Sequence, residues 1–473
     1  MRRTRRGLLV AVAAMALLVG ACSSDDETST GTTTGATDAP ATDDTAGGPS
    51  GATITVPDDQ PTIQDAVDAA EPGDLILISP GTYNEAVDVE TENLTIRGLD
   101  RNEVVLDGEF TLENGIRVLA DGVAVENMTA KNYTTNGFFW TGVTGYRGSY
   151  LTAYRNGDYG IYAFDSVTGQ LDNSYASGSP DAGFYIGQCY PCDAAIFDVI
   201  SEYNGLGYSG TNSGGDLVIV NSRWNNNRAG IVPNSGSYEL CYPERETTII
   251  GNTVYDNNQP DTPAIGAALD AMGNGIIVPG GVDNVIERNL VFDHDLGGIV
   301  LVPYPEEEAS DLPPDASELS TPCEETKDEA PTSEDIPDLI FWQPTGNSVQ
   351  GNSVSGSGLG DLAVGTVDAD VASLDNCFSD NVYETTAPVD LEGLAPCEGD
   401  PTATDWDNGA FDLLALIATD KPPSVDYETA PTPEPPAQPN MPDAATAPAR
   451  PATDVPMSID LDAITVPERP EGT

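Results

Sequence analysis

Two aspartates in the first half of the chain have the spacing of a carboxylate pair. Asp158 lies two residues before Gly160, and Asp181 lies two residues before Gly183, so the carboxylates are 23 residues apart. If the chain stacks with that period, the two side chains lie about one strand spacing, ~4.8 Å, from each other. Such a pair suits a retaining glycosidase or a Ca²⁺ ion, which prefers oxygen ligands. Because aspartate is also common in tight turns, a structural role is the alternative.

Aromatic side chains recur with the same interval. The position two residues after each glycine reads Arg117, Phe139, Tyr162, Tyr185, Ser209 and Val232. Alternate residues of a strand point to opposite faces, so this series points outward and its apolar neighbours point inward. Phe139, Tyr162 and Tyr185 therefore predict an exposed ladder on which sugar rings can stack, with the two aspartates beside it to bind hydroxyl groups. The alternative is that the rings pack on one another and stabilise the stack.

The only histidine of the chain stands in the triplet Asp293-His294-Asp295. Three segments align with one another on an asparagine, at Asn221, Asn252 and Asn289. In this alignment His294 takes the position of Asn226 and Asn257, so the triplet is interpreted as the polar turn of a repeat. The three aligned asparagines predict an internal ladder of side-chain amides.

The spacing of the glycines indicates a solenoid. A glycine followed by an apolar residue recurs at positions 115, 137, 160, 183, 207, 230, 275 and 298. A sustained period near 23 residues is typical of stacked repeats. Short alternating runs separated by Asn/Gly turns predict several short strands per repeat, with no room for a helix. The spacing of 45 carries an insertion, "QPDTPAIGAALDAM".

The segment "TIQDAVDAAEPGDLILISPGTYNEAVDV", Thr62 to Val89, resembles the N-terminal cap and first coil of right-handed parallel β-helix proteins of the pectin-lyase-like superfamily. Repeats such as "GNTVYDN" resemble the coils of exported bacterial β-helix proteins. The expected fold is therefore all-β, a right-handed parallel β-helix over residues 51–398. Thr62 and Asp65 predict a short capping helix with one apolar face.

The resemblance has implications for activity as well. Lyases of this superfamily typically use Ca²⁺ and a basic side chain, and Arg117 or Arg155 is the candidate base beside Asp158 and Asp181. The paired-aspartate and "GHG" motifs of polygalacturonases and the Asp/Arg segments of pectin esterases are missing from the sequence. The fold is thus predicted more specifically than the activity, since one fold carries many functions.

The N-terminus predicts export. Residues 1–21 combine the basic "MRRTRR" with a short apolar run, as in a signal peptide, and "VGAC" resembles the lipobox of bacterial lipoproteins, with Cys22 as the lipidated residue. Residues 22–50 are a Thr/Asp-rich tether, expected to be disordered. We expect an extracytoplasmic protein that contacts the membrane through this anchor only.

Six further cysteines fit an oxidising location. An even number in an exported chain predicts disulfides, and proximity favours three pairs, Cys189–Cys192, Cys241–Cys323 and Cys377–Cys397, among 15 pairings.

Composition limits the partners. The chain has 77 acidic and 18 basic residues, a net charge of −59, which excludes nucleic acid and anionic lipid surfaces as partners. Residues 305–337 form an acidic insertion, 399–418 a candidate C-terminal cap, and 419–473 a Pro/Ala-rich tail expected to be disordered.

The sequence predicts a monomeric surface protein that binds a polysaccharide, such as a cell-envelope glycan. One alternative is an enzyme, a polysaccharide lyase or glycoside hydrolase centred on Asp158, Asp181, and Arg117 or Arg155. The other is a non-enzymatic scaffold or adhesin. No cofactor is fixed by a motif, and Ca²⁺ at Asp158 and Asp181 is the one candidate.

Overall fold

The computed structural model describes residues 51–307, Cys323, 339–367 and 370–473. The predicted signal peptide (1–21), the lipidation site Cys22, the tether (22–50) and most of the acidic insertion (305–337) lie outside the described residues. Within the described ranges, no helix has the length and apolar character needed to cross a bilayer.

A short helix covers the N-terminal end of the stack. Strand β1 (Thr53–Val56) is followed by helix α1 (Ile63–Ala69). The hydroxyl of Thr62 caps the helix by accepting a hydrogen bond from the backbone N–H of Asp65 at 3.0 Å. The buried face of α1 consists of Ile63, Ala66 and Val67, which join the main core. The predicted capping helix is confirmed.

The described parallel strands of the solenoid form a 20-stranded and an 11-stranded sheet. Two long strands connect two faces of the larger sheet, because each pairs with one set of strands through its first part and with another set through its second part. A typical coil thus contributes one strand to each of three faces, here called sheets 1, 2 and 3. Sheet 1 contains β1, β2 (Leu75–Ile78), β5 (Thr95–Gly98), the first parts of β8 (Val123–Lys131) and β10 (Thr144–Tyr154), β12 (Val167–Asp172), β15 (Ala194–Phe197), β18 (Gly214–Val220), β21 (Arg245–Ile250), β24 (Val285–Glu287), β29 (Ser348–Gln350) and β32 (Cys377–Ser379). Sheet 2 contains β3 (Gly81–Tyr83), β6 (Val104–Asp107), the second parts of β8 and β10, β13 (Tyr175–Ser177), β16 (Ile200–Glu202), β19 (Arg223–Asn225), β22 (Thr253–Tyr255), β25 (Leu290–Phe292) and β30 (Ser353–Ser355). Sheet 3 contains β4 (Val87–Val89), β7 (Ile116–Val118), β9 (Phe138–Thr141), β11 (Ile161–Phe164), β14 (Ala182–Gly187), β17 (Leu206–Thr211), β20 (Ala229–Asn234), β23 (Asn274–Pro279), β26 (Gly297–Val302), β31 (Gly360–Val364) and β33 (Thr386–Ala387).

The coils stack in the register that the glycine period predicts. In sheet 3, Ile116 pairs with Phe138, Phe138 with Ile161, and Ile161 with Phe184. All four side chains are buried in one core cluster that runs through the solenoid. Burying a side chain of this kind stabilises the fold by ~1.5–3 kcal/mol. The core is therefore a column of repeated small contributions, one set from each coil.

Asparagine side chains stack inside this column, as predicted for Asn252 and Asn289. Asn252 donates to Oδ1 of Asn289 at 3.1 Å, and Asn289 donates to Oδ1 of Asn352 at 2.9 Å. The prediction for Asn221 was wrong, because it is exposed in a turn and Ser222 takes the ladder position, donating its N–H to Asn252 Oδ1 at 3.2 Å. Matching on residue type could not detect this shift, which only the pairing of β19 with β22 fixes.

All three disulfides are paired as proximity predicted. The bonds are Cys189–Cys192, Cys241–Cys323 and Cys377–Cys397. The second one holds the loop 235–244, between β20 and β21, to a residue of the acidic insertion. The ends of that insertion form an antiparallel hairpin of β27 (Tyr304–Glu307) and β28 (Leu339–Trp342).

Residues 419–473, here called the tail, differ from the expectation of disorder. They lie extended along the solenoid, first towards its N-terminal coils and then back towards its C-terminal coils. Guanidinium groups of the solenoid donate to tail carbonyl oxygens as follows: Arg228 to Pro422 and Pro423 (2.7 and 2.9 Å), Arg155 to Ala430 (2.6 Å), Arg97 to Ala447 and Pro448 (2.7 and 3.0 Å), and Arg288 to Ile464 (3.0 Å). Composition shows only that the tail cannot build a core of its own. It does not show that backbone carbonyls can bind a surface that is already folded.

Short helices occupy the connections and the C-terminal end. They are α2 (Gly266–Asp270), a 3₁₀ turn (Val371–Ser373), α3 (Leu391–Leu394), α4 (Leu413–Ile417) and a 3₁₀ turn in the tail (Leu461–Ala463). Glu392 of α3 accepts the last described amide of the asparagine ladder, from Asn381 at 2.9 Å. The stack is thus closed by α3, before the predicted cap at 399–418, whereas α4 packs on the outer side of sheet 3 through Leu413.

Candidate functional site

Sheet 3 brings the predicted outward series into a single row across the coils. The register pairs Arg117 with Phe139, Phe139 with Tyr162, Tyr162 with Tyr185, Tyr185 with Ser209, and Ser209 with Val232. We call these six residues the outer row. The prediction of their alignment from the glycine period is confirmed.

The rings of the outer row stack, and two of the three are accessible. Phe139 and Tyr162 lie 4.7 Å apart between ring centroids at an interplanar angle of 19°, and both are half-buried. Tyr185 meets Tyr162 edge-on at 4.9 Å and is only 1% exposed. The expectation of three exposed rings is therefore wrong for Tyr185, because the loop 235–244 covers it.

Tyr159 completes the aromatic cluster and was missed by the sequence reasoning. Its ring stacks on Tyr162 at 4.2 Å and 5°, the flattest contact of the cluster. Its hydroxyl donates a hydrogen bond to Oδ2 of Asp181 at 2.6 Å. Its position directly after Asp158 was a usable signal, since a residue beside the carboxylate pair must also lie near the outer row.

The turns between sheets 2 and 3 hold Asp158 and Asp181 on adjacent coils. The N–H of Asp158 donates to Thr135 O at 2.9 Å, and the N–H of Asp181 donates to Asp158 O at 3.2 Å, so the turns stack like strands. The predicted adjacency of these two residues is thus found. Within the described residues, the side-chain carboxyl of Asp158 has no hydrogen-bond partner, which leaves it available to a ligand.

The environment separates the proton affinities of this pair. Burial raises the pKa of Asp158 to about 6. Burial and the negative charge of Asp158 together raise the pKa of Asp181 to about 8, against the opposing effect of the Tyr159 hydrogen bond. At neutral pH the site therefore presents a protonated carboxyl beside a mainly ionised one, the combination used in general acid–base chemistry.

A third carboxyl reaches the same face from the loop 235–244. Tyr185 donates its hydroxyl to Glu239, 2.9 Å from each carboxylate oxygen. Burial raises the pKa of Glu239 to about 8, although the Tyr185 hydrogen bond acts in the opposite direction. Sequence periodicity could not indicate Glu239, because the loop lies outside the repeat.

The two arginines proposed as bases are engaged elsewhere. Arg117 forms a two-pronged ion pair with Asp88, at 2.9 and 2.6 Å, and hydrogen bonding to Asp88 raises its pKa. Arg155 donates to the tail carbonyl of Ala430 at 2.6 Å. A proton acceptor must be deprotonated, so the structure does not support the role of base for either arginine.

A calcium site at Asp158 and Asp181 has few ligands to draw on. Ca²⁺ takes six to eight oxygen ligands. In the described part of the chain, no group of three or more acidic, histidine or cysteine side chains is close enough to hold a metal ion. The pair would supply two carboxyl groups, and the remaining ligands would have to come from water or from the bound molecule.

His294 lies in the core and not in the site. It is buried, and its Nε2 lies 3.2 Å from Nδ2 of Asn257, whose Oδ1 accepts a hydrogen bond from Asn227 Nδ2 at 3.0 Å. Burial lowers the pKa of His294 to about 3, so the imidazole stays neutral and its Nε2 accepts a hydrogen bond from the side-chain amide of Asn257. The structural interpretation of His294 is confirmed, with Asn227 in the position assigned to Asn226.

Comparison with known proteins agrees with this architecture. Residues 114–304 match the family described as the right-handed β-helix region. The fold is a right-handed parallel β-helix. This β-helix carries the outer row on one of its three outer faces. No curated protein sequence matches the chain.

Solved structures similar to this β-helix include several polysaccharide-acting enzymes. The A-module of mannuronan C-5 epimerase AlgE4 from Azotobacter vinelandii is 15% identical, with 68% of this chain and 90% of that chain covered and a TM-score of 0.43. Pectate lyase Pel9A is 15% identical over 86% and 90% of the two chains, with a TM-score of 0.41. The alginate lyase from Paenibacillus sp. str. FPU-7 is 14% identical over 70% and 95%, with a TM-score of 0.36. Similarity this low carries no information about the activity of this chain.

Proposed function

We propose that this β-helix binds a polysaccharide across the accessible part of the outer row, with sugars along the outward edges of the stacked Phe139 and Tyr162 rings. The proposal rests on one observation, the presence of two half-buried stacked rings directly beside a carboxyl pair. Since Phe139 and Tyr159 cover the two faces of Tyr162, the stack offers its apolar ring edges to sugars, and carboxyl groups bond to sugar hydroxyls. Tyr159 joins the two parts, because it stacks on Tyr162 and donates to Asp181.

The charge of the site favours an uncharged glycan. Asp158, Asp181 and Glu239 gather on this face, and in the described residues no ion pair joins any of them to a cation. Arg117, at the end of the row, is already paired with Asp88. With a net charge of −59, the chain repels polyuronates. A neutral polysaccharide binds here without that cost.

A second candidate function is glycoside hydrolysis, favoured by the raised pKa values of the carboxyl pair. In this reaction Asp181 donates its proton to the glycosidic oxygen as the bond to the anomeric carbon breaks. Asp158 attacks that carbon as a carboxylate and forms a glycosyl ester; water then gives a proton to Asp181, displaces Asp158 from the carbon and releases the sugar. A lyase is disfavoured. Elimination needs an acidic sugar, which the negative charge of this site repels, and a basic residue, a role that neither Arg117 nor Arg155 can take here.

The decisive experiment is a glycan array probed with the full chain, the Phe139→Ala variant and the Tyr162→Ala variant. Phe197→Ala is the matched control, since Phe197 is a half-buried outward aromatic residue on sheet 1. We expect neutral glycans to bind, with a loss of about 30-fold for Tyr162→Ala, in the range of aromatic hot spots, and little loss for the control. Binding that survives both row variants would refute the proposed surface.

Reducing-end and unsaturated-product assays on each bound glycan separate binding from catalysis. New reducing ends that vanish in Asp181→Asn would establish a hydrolase. Binding without products would leave a carbohydrate-binding surface protein of the scaffold or adhesin class.

We further propose that the chain is exported and lipid-anchored at Cys22, on the sequence pattern alone. Labelling of cells with a fatty-acid analogue tests this, with Cys22→Ser as the control. Label in both proteins, or in neither, would contradict the anchor.

A further inference from the structure

The outer row is open at one end and closed at the other. At the N-terminal end the side chains of Arg117 and Asp88 are 37% and 48% exposed. Phe139 and Tyr162 follow, both half-buried. Exposure then ends abruptly, because Tyr185, Ser209 and Val232 are 1%, 5% and 4% exposed.

The loop 235–244 forms the wall that ends the open stretch. Glu239 lies over Tyr185 and accepts a hydrogen bond from its hydroxyl. Tyr238 lies over the next coils, where its hydroxyl accepts a hydrogen bond from Asn234 at 3.0 Å and approaches Thr211 Oγ1 at 3.4 Å. We call Tyr238 and Glu239 the end wall.

The end wall is held at several points and is therefore part of the fold. Asn212 donates its side-chain amide to the carbonyl oxygens of Gly236 and Glu239, at 2.6 and 2.7 Å. Ser237 donates its hydroxyl to Glu306 of the hairpin at 2.7 Å. The disulfide Cys241–Cys323 fixes the same loop to the insertion. Tyr185 is therefore kept covered in the folded protein, and a ligand that lies in the outer row beyond Tyr162 meets these contacts.

Helix α2 closes the neighbouring flank on the side of the carboxyl pair. Ala264 and Ala268 are buried against Ala182 and Leu206, on the coils that follow Asp158. The N–H of Ile265 donates to Pro180 O at 3.0 Å, which places the start of α2 beside the turn of Asp181. The carboxyl pair therefore lies at the inner end of the open stretch.

We infer that the site takes a polysaccharide by one of its ends. The terminal sugars lie over Phe139 and Tyr162, the last ring stops against the end wall, and the rest of the polymer leaves past Arg117. Arg117 to Tyr185 spans three coil spacings, about 14 Å, which accommodates a short oligosaccharide. This inference rests on the proposed function and adds to it that chain ends, and not internal segments, are recognised.

The test compares ligands with and without ends, for any neutral glycan that the full chain binds. Titration calorimetry would be run with the polymer, a size series of linear oligosaccharides, and a cyclic oligosaccharide of the same linkage. We expect affinity per chain end to be independent of polymer length, and the cyclic ligand to bind at least tenfold more weakly than the linear one. Equal affinity for the cyclic ligand, or binding that rises with the number of internal sugars, would overturn the inference while leaving the proposed function intact. Absence of binding to every linear glycan would instead refute the proposed function.

A wall variant provides an independent check. In Tyr238→Ala/Glu239→Ala the closed end is opened, so the variant should gain binding to the cyclic ligand of at least tenfold. Glu239→Gln keeps the shape of the wall and should remain specific for ends. If the double variant prefers linear over cyclic ligands as strongly as the unmodified chain does, the end wall does not determine the preference for chain ends. If the double variant does not fold, the ligand series on the unmodified chain still decides.

Discussion

The outer faces of sheets 1 and 3 both carry acidic side chains at low exposure, but in opposite arrangements. On sheet 1, Arg97 pairs with Glu126 at 2.6 Å, Arg147 also pairs with Glu126, and Arg147 lies 3.4 Å from Asp172. The tail lies over this row, with two of its carbonyl oxygens on Arg97. On sheet 3, Asp181 lies beside Asp158 and Tyr159, and Glu239 accepts a hydrogen bond from Tyr185, with no ion pair to these carboxyl groups in the described residues.

This difference distinguishes a structural surface on sheet 1 from a candidate binding surface on sheet 3. Buried charges are tolerated when each has an opposite partner, and the row on sheet 1 meets that condition. Asp181 and Glu239, which lie near no cation of the described part of the chain, hold protons at neutral pH, and carboxyl groups with raised pKa values are frequent at functional sites. The charged row of sheet 1 is thus an internal surface of the protein, and the outer face of sheet 3 is the one on which we propose that a ligand binds.

Removal of the tail should give the largest effect. A chain ending at Ala418 loses every contact of the tail and exposes the charged row of sheet 1 to water. We expect a lower thermal midpoint than for any point variant considered below, together with unchanged affinity for glycans on sheet 3. A chain ending at Arg469 is the control, because it keeps the ion pair of Arg469 with Asp293. Equal midpoints for the two truncated chains would show that the tail adds no stability.

Glu126→Gln should have the next largest effect. The change leaves Arg97 and Arg147 buried without their shared carboxylate, and breaking a buried pair from one side costs about 3–5 kcal/mol. Urea unfolding would measure it. In the control, Glu287→Gln, the pair with Arg288 is about one-third exposed, and the expected loss is about 0–1 kcal/mol. Similar losses for both variants would mean that the row of sheet 1 is not a buried network.

Asp181→Asn should change the pH dependence of stability. Because the folded pKa of Asp181 is raised from 3.8 to about 8, its contribution is greatest below pH 4 and is lost as pH rises towards 8. Relative to the variant, the unmodified protein should lose about 1.4 kcal/mol per pH unit across this window. Tyr159→Phe removes a hydrogen bond that lowers the pKa of Asp181, so in this variant the pH range over which stability is lost should extend to higher pH. Parallel stability curves for the unmodified protein and Asp181→Asn would contradict the shift.

His294→Asn should have the smallest effect, since asparagine occupies this ladder position in the two preceding coils. At neutral pH we expect a change of about 1 kcal/mol or less, with glycan binding intact. The pKa of His294 is lowered from 6.5 to about 3, so its contribution is present above pH 6.5 and is lost as pH falls towards 3. The variant should therefore resist acid better than the unmodified protein. Loss of glycan binding in this variant would revive a functional role for the histidine.

Much of the site was predictable from the sequence, because it depends on the repeat period and on residues that are neighbours in the chain. The alignment of Phe139, Tyr162 and Tyr185, and the adjacency of Asp158 and Asp181, follow from a constant period, because each coil places the same position in the same direction. Tyr159 needed only its neighbour in sequence. Glu239 and the closure over Tyr185 were not predictable, since they depend on a loop whose path is fixed by Asn212, Glu306 and Cys323 from distant parts of the chain.

The sequence by itself determined the β-helix, its capping helix, the disulfides Cys189–Cys192 and Cys377–Cys397 and the register of sheet 3, because each depends on periodicity or on residues close in the chain. Only the tertiary structure decided the rest. The tail binds through backbone carbonyls, which every residue has and no composition reveals. Arg117 forms an ion pair with Asp88, one coil away, which argues against its predicted role as a base. The ladder position predicted for Asn221 is occupied by Ser222. In each of these cases the partner comes from another coil or from the tail, so the contact forms only when the coils have stacked.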